Sequence, residues 1–310
     1  MLRAMYTSIT GLRNHQTMLD VVGNNIANVN TYGYKGSTTA FKTLLTQTMQ
    51  GAGAPSPNLG GTNFQQVGLG MTIDSITQQF TQGALQTTGV QTDLGIQGDG
   101  FFNVTNDLIG GTASPTAEKS YTRAGNFKFD AAGTLVTSDG FHVLGWTDDD
   151  AAMAGFQLDT TNPMSSIQLP SNTPTAAYSN ILIAPDGSVS GIFQDPSNPT
   201  VVGPPPTGNP LNGQRIIVAQ IAMSRFSNPS GLEQAGNNRW QASFNSGVPV
   251  NDVSGANGMG ALSAGYLEMS NVDLATEFTE MIKAQRGFQA NSRVITTSDE
   301  ILQELVNLKR

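Results

Sequence analysis

The sequence predicts an α+β fold: long N- and C-terminal helices form a coiled-coil-like inner domain, and a mainly β domain is inserted between them. Three observations carry this prediction. Near the N-terminus, apolar or small residues recur in steps of four and three. The C-terminal segment repeats that period. The chain between them loses it and alternates in short runs separated by Asp-Gly and Ala-Gly pairs, the pattern of strands joined by tight turns.

The N-terminal helix and its exit occupy 1–45. Met5, Ile9, Leu12, Gln16, Leu19, Gly23 and Ile26 form a heptad seam with two weak positions, Gln16 and Gly23. Met5, Ile9, Leu12, Leu19 and Ile26 are therefore candidate subunit-interface residues of the inner helices. The helix then runs into "NNIANVNTYGYKG", Asn24 to Gly36. Asn and Gly tolerate the left-handed conformation that ends helices, and short polar side chains can satisfy the last carbonyls. Asn24, Asn25, Asn28, Thr31, Gly33 and Lys35 are the candidate exit residues.

Residues 46–70 are predicted to be a linker, since "GAGAPSPNLGGTNFQQVGLG" is rich in Gly and Pro. Residues 71–265 form the predicted β domain. Its strands are expected in "MTIDSITQQFTQGALQTTG", "YTRAGNFKFDAAGTLVTSDGFHVLGW", "ILIAPDGSVSGIF" and "RIIVAQIAMSRF". Within it, 148–177 and 194–214 read as irregular, the second holding "GPPPTGNP", which suits neither a helix nor a central strand.

The C-terminal helix occupies 266–310. Ser270 followed by Asp273 gives a capping-box-like start, and Asp273, Glu277 and Glu280 suit the positive helix N-terminus. Leu274, Phe278, Met281, Gln285, Phe288, Ser292, Ile295, Asp299 and Leu302 continue the four–three alternation. Leu274, Phe278, Met281, Phe288, Ile295 and Leu302 are its candidate subunit-interface residues. At 1.5 Å per residue, about 40 residues span roughly 60 Å, beyond an ordinary globular helix. A two-helix hairpin with Gln285, Ser292 and Asp299 in its seam is marginal by itself. Its termini are expected to order fully when neighbouring subunits bury them.

Composition narrows the function classes. The 310 residues contain no cysteine, which excludes disulfides and thiolate chemistry. The net charge is −8 and only 12% of residues are charged. Lys and Arg do not cluster as phosphate contacts require, so no nucleic-acid partner is expected. The acidity lies in 43–269, with 16 acids against six Lys/Arg. No apolar run is long enough to span a bilayer, and the N-terminus lacks a signal-peptide core, so neither membrane insertion nor a cleaved signal is expected.

No catalytic, cofactor or metal site is expected. "GIQGDGFF" lacks the Lys-Ser/Thr ending of a phosphate loop and reads as a turn feeding buried Phe101 and Phe102. Asp148–Asp150 lack the spacing of a calcium loop. His15 and His142 have no ligand-spaced partners. Arg286 and Arg293, seven apart, form either a solvated face or interhelical pairs with acids such as Asp20 or Glu280. A secreted adhesin would explain the strands but not both helical ends. An enzyme would need a constellation of acid, base or nucleophile that is not found.

Four stretches resemble the axial proteins of the bacterial flagellum, the rod and hook family. They are "GLRNHQTMLDVVGNNIANVNTYGYKG", "IQGDGFF", "YTRAGNFKFDAAGTLVTSDGFHVLGW" and "GYLEMSNVDLATEFTEMIKAQRGFQANSRVITTSDEILQELVNLKR". "QRGFQANSR" ending in "ELVNLKR" looks more like the hook branch, with the distal rod as the alternative. Many hook proteins carry an extra outer β domain, and 148–214 is too irregular and too short for a full one, which fits either a short hook form or the rod. The resemblance implies a non-enzymatic subunit that polymerises into a hollow helical tube with its terminal helices innermost, a flexible joint passing torque. It implies partners: other copies, the distal rod and hook–filament junction proteins, the hook cap and the flagellar export apparatus. It implies an extracellular place in the flagellum, reached by export without a cleaved signal. It also implies that Tyr32, Tyr34 and Lys35 face a neighbouring subunit.

Overall fold

The computed structural model describes residues 2–56, 60–109, 112–113, 119–147, 163–169, 177–194 and 215–308. The chain divides into two compact units. One joins Met1–Val29, Gly36–Gln79 and Val272–Arg310; the other joins Asn30–Lys35 with Phe80–Asn271.

The first unit holds helix α1, Leu2–Ala27, strands β1, Ser37–Thr43, β2, Thr46–Gln50, β3, Gln65–Gly68, and β4, Met71–Gln78, and helix α2, Leu274–Asn307. β1 and β4 pair antiparallel from Ser37↔Gln78 to Thr43↔Met71, with a register shift between Ala40 and Phe41. β2 and β3 pair from Thr46↔Gly68 to Gln50↔Gln65. The segment 46–70, expected to be linker throughout, is therefore flanked by a paired ribbon. Most of its Gly and both its Pro fall in the connection, while Thr46, Thr48 and Gln66 link across the strands through their side chains. The expected boundary at 71 lies instead between Gln79 and Phe80. At α2 the cap is Asp273 rather than Ser270: its Oδ1 accepts from Ala275 N at 2.9 Å.

The second unit is β. Its main strand order runs from Ala177–Ile183 through Ser188–Gln194, Arg215–Ile221, His142–Thr147, Phe101–Thr105, Ser120–Thr122 and Arg239–Gln241 to Glu233–Gly236. The strand Phe101–Thr105 is buried on both faces. Neighbouring side chains on a strand point to opposite faces, and this one serves two clusters. Phe102 meets Phe127 edge-on at 5.0 Å among Leu94, Val104 and Met223. Phe101 packs with Phe226 and Trp240. "GIQGDGFF" does feed this buried pair, and Gly98 and Gly100, with φ of 114° and 136°, supply backbone angles that other residues resist. The Asp186-Gly187 hairpin turns as expected, with Asp186 Oδ1 accepting from Ser188 N at 3.0 Å. Asp148–Asp150 and most of 148–177 and 194–214 lie outside the described residues; the part of 148–177 that is described includes a short strand, Ser165–Ser166.

Candidate assembly surface and helix exit

α1 and α2 pair antiparallel at two reciprocal small-residue sites. A Cβ at Gly11 would lie 2.5 Å from Asn291 Nδ2, and one at Gly287 would lie 2.5 Å from His15 Nε2. Each glycine is thus a socket for a polar side chain of the other helix. Small residues at a crossing let helix axes approach closely. Asn25, almost fully buried, completes the pairing near the other end: it hydrogen-bonds Glu277 and clasps Ser37 through both its N–H and its carbonyl, at 3.0 and 2.8 Å.

This packing corrects the expected seam. Ala284 and Ser298 are the buried residues of α2, and Glu277, Met281, Gly287, Asn291, Ile295 and Leu302 are half-buried around them. Met281, Ile295 and Leu302 thus fall on the packed face. Leu274, Phe278 and Phe288 do not; they are exposed. On α1, Met5, Ile9, Leu12, Leu19 and Ile26 are half-buried, while Ser8, Gly11, Asn14, Val22 and Asn25 are the buried positions. The internal helix contact mixes small and polar residues with Val22, Met281, Ile295 and Leu302, and leaves Leu274, Phe278 and Phe288 outside it.

Those outer residues form two rows. Leu274, Phe278 and Ile282 repeat every four residues in the first half of α2; Val294, Ile301, Leu305 and Leu308 lie in and just beyond its second half. At 100° per residue the rows flank the packed face on opposite sides. A helix with exposed apolar rows on two flanks is built to be covered from two directions.

The exit motif belongs partly to each unit. Asn28 Nδ2 donates to the Asn24 carbonyl at 2.9 Å and to Asn24 Oδ1 at 3.0 Å, closing the end of α1. In the second unit, Tyr34 N donates to Thr31 O, and Gly33, at φ +66°, donates its N–H to Glu268 O at 2.8 Å. A Cβ at Gly33 would strike Ala124 N. Only glycine satisfies both the backbone angle and the close approach.

Lys35 ends buried, not presented outward. Its Nζ sits 2.6 Å from Glu268 Oε1 and donates to Thr81 O at 2.8 Å. Arg123 Nη1 reaches both Glu268 oxygens at 3.3 Å, and its Nη2 donates to Gly98 O at 2.9 Å. Gly83 N donates to Glu268 Oε1 at 2.9 Å. All three charged side chains are essentially excluded from solvent. Two cations share one carboxylate, so the backbone carbonyls of Thr81 and Gly98 supply the remaining compensation. Burial pushes the Lys35 ammonium below its ordinary value, with Arg123 adding to the fall and Glu268 opposing it. Tyr34 is also buried, and of the three residues expected to face a neighbour only Tyr32 is exposed.

Glu268 and Arg123 were not singled out from sequence. Arg286 donates to Gln289 Oε1 at 3.5 Å, and Glu280 pairs with Lys283 at 2.5 Å rather than with an arginine. Among the described residues no three His, Asp or Glu side chains gather as a metal site requires, and no helix is long and apolar enough to cross a membrane.

Comparison with known proteins adds three family matches and several relatives. Residues 5–35 match "Flagella basal body rod protein", residues 95–191 match "Flagellar hook protein FlgE/F/G D1 domain", and residues 263–308 match "Flagellar basal body rod FlgEFG protein C-terminal". The chain is 45% identical over 311 residues to the flagellar basal-body rod protein FlgG of Bacillus subtilis, covering all of both chains. It is 30% identical over 450 residues to the flagellar hook protein FlgE of Borreliella burgdorferi, again covering all of both. Among solved structures, the flagellar hook protein FlgE2 of Helicobacter pylori matches with a TM-score of 0.39 and 11% identity, over 59% of this chain and 100% of that one.

Proposed function

This chain belongs to the flagellar rod and hook protein family, a family of structural components, and from that premise we propose that it is the hook subunit. It polymerises into a hollow helical tube, the flexible joint that passes motor torque to the filament. One observation carries the assembly reading: the two apolar rows on α2 whose side chains remain exposed within the chain. Burying what remains exposed of these side chains stabilises by about 1 kcal/mol each, several kcal/mol per subunit before ordering costs. The contact residues predicted from sequence divide accordingly. Met281, Ile295 and Leu302 hold α1, and Leu274, Phe278 and Phe288 meet other copies.

The ending "QRGFQANSR … ELVNLKR" favours the hook branch. The remaining partners follow: distal rod and hook–filament junction proteins at the tube ends, the hook cap at its growing tip, and the export apparatus that delivers the chain unfolded to the exterior.

A second reading, the distal rod, has its own support. The Bacillus rod relative aligns over 311 residues, so it carries no long insertion relative to this chain, whereas the Borreliella hook relative requires 450. Negative-stain micrographs of the full chain, concentrated in high salt, separate the two. Curved, supercoiled tubes are expected of a hook; straight, stiff tubes establish the rod. Protein that stays dispersed overturns the assembly reading.

A further inference from the structure

Six residues of the exit motif, Asn30–Lys35, belong to the second unit although the residues on either side of them belong to the first. They form neither helix nor strand, so they extend no sheet, yet Gly33, Tyr34 and Lys35 are buried. The segment lies in the β unit as a ligand lies in a groove. Lys35 reaches the Glu268 carboxylate at 2.6 Å and donates to Thr81 O at 2.8 Å. Gly33 N donates to Glu268 O at 2.8 Å, and Asn238 Nδ2 donates to Tyr32 O at 3.0 Å. The backbone of Arg123 and Ala124 closes on Gly33, where a Cβ would lie 2.6 Å from Ala124 N.

The walls stand on contacts of their own. Glu268 ends the strand Tyr266–Glu268, which pairs with Leu85–Thr87. Arg123 and Ala124 follow Ser120–Thr122, a strand paired on both sides. Asn238 sits in the turn between Glu233–Gly236 and Arg239–Gln241, and these two strands pair with each other. None of these pairings uses residues 30–35. Arg123 Nη1 holds both Glu268 oxygens at 3.3 Å, so the carboxylate keeps a counter-ion when Lys35 is away. A groove whose walls are fixed beforehand loses little freedom when it is filled. Its demands are also specific: a glycine at φ +66° against the Ala124 backbone, then an aromatic ring, then a cation for Glu268.

We propose that the β unit carries a peptide-binding groove, that Asn30–Lys35 is its resident ligand, and that the groove takes the same Tyr-Gly-Tyr-Lys sequence from a separate molecule once its own copy is withdrawn. The tether keeps the resident segment at high effective concentration, so a free peptide does not displace it. The test uses full-length chain in which residues 30–35 are replaced by Gly and Ser, mixed with a fluorescein-labelled peptide of residues 28–37, NVNTYGYKGS. Saturable binding in fluorescence anisotropy is expected, with a loss of about tenfold or more for peptides carrying Gly33→Ala or Lys35→Glu. The unsubstituted chain, its groove filled, should bind none. Near-UV circular dichroism checks the walls, because both tryptophans, Trp146 and Trp240, are buried in this unit. A replaced chain with an intact near-UV signal that does not bind the peptide overturns the groove. Equal binding of the Lys35→Glu peptide overturns the recognition. Where the replaced chain loses the near-UV signal, added peptide should restore it; a signal still absent with peptide in excess overturns the proposal. None of these outcomes bears on the polymer reading, which rests on α2.

Discussion

The imidazole of His15 occupies the space that any side chain at position 287 would need, and Asn291 does the same opposite Gly11. Two polar knobs in two glycine sockets, one turn apart on each helix, fix which turn of α1 meets which turn of α2. A slide of one turn in one direction would drive His15 into Asn291, and in the other it would bring Gly11 against Gly287 and leave a void. Register is therefore set by shape, without the large apolar residues that ordinarily set it.

Gly287→Ala should cost about 1–3 kcal/mol by overpacking against the His15 ring. Adding His15→Ala should recover most of that loss, because the second change vacates the space the first one fills. Urea unfolding followed by helical circular dichroism gives the coupling energy. Costs that simply add would mean that the two side chains do not compete.

The buried charge cluster makes an asymmetric prediction. Glu268→Gln leaves Lys35 and Arg123 facing each other without a counter-ion, and should cost roughly 3–5 kcal/mol. Lys35→Met leaves a balanced Arg123–Glu268 pair and should cost less, about 1–3 kcal/mol. Denaturant midpoints of the two variants give the order. Equal losses would show that the cluster is held by packing rather than by charge balance.

Glu277 carries a pH prediction. Burial raises its carboxyl above the usual value of 4.5, with Glu280 and Asp273 adding and the Asn25 hydrogen bond opposing. A raised folded value means that the native state holds the proton more tightly. The stability this supplies is complete below 4.5 and is lost as pH rises through the folded value. At pH 7 the ionised group is thus a net cost. Glu277→Gln should raise the melting temperature there by about 1–3 °C, and the gain should vanish near pH 4. A gain that persists at pH 4 would assign the effect to something other than the proton.

The apolar rows on α2 predict a separation of folding from assembly. Ile282→Ser removes a side chain exposed within its own unit, so stability of the dispersed chain should change by less than about 0.5 kcal/mol. If a neighbour covers this position, about 1 kcal/mol of contact is lost. The concentration needed for assembly should then rise about fivefold. Sedimentation across a dilution series reads this directly. An unaltered threshold would place Ile282 on an uncovered surface.

Both helices and the hairpins around Asp-Gly and Ala-Gly were legible because period and turn chemistry are local. The choice of packed face was not. Hydrophobic size pointed to Phe278 and Phe288, yet glycine sockets decide the approach, and a socket has no signature until its knob is known. Lys35, expected to face a neighbouring subunit, is buried within its own chain. Its partners lie at Arg123 and Glu268, far along the chain, and no spacing announces them. The one available hint was local: Lys35 directly follows Gly33 and Tyr34, a dense stretch of exit chemistry that a merely solvated lysine would not require.

The first unit takes one helix from each end of the sequence, and this has a consequence in time. α1 is made about 250 residues before α2, so at roughly 5–20 residues per second it waits on the order of 10–50 s without its mate. During that interval the Gly11 and His15 face is open to anything else that can bind it. Closure of the helix pair therefore reports that synthesis has passed α2, and a factor that occupies the waiting face would hold the subunit in an unfinished state until delivery.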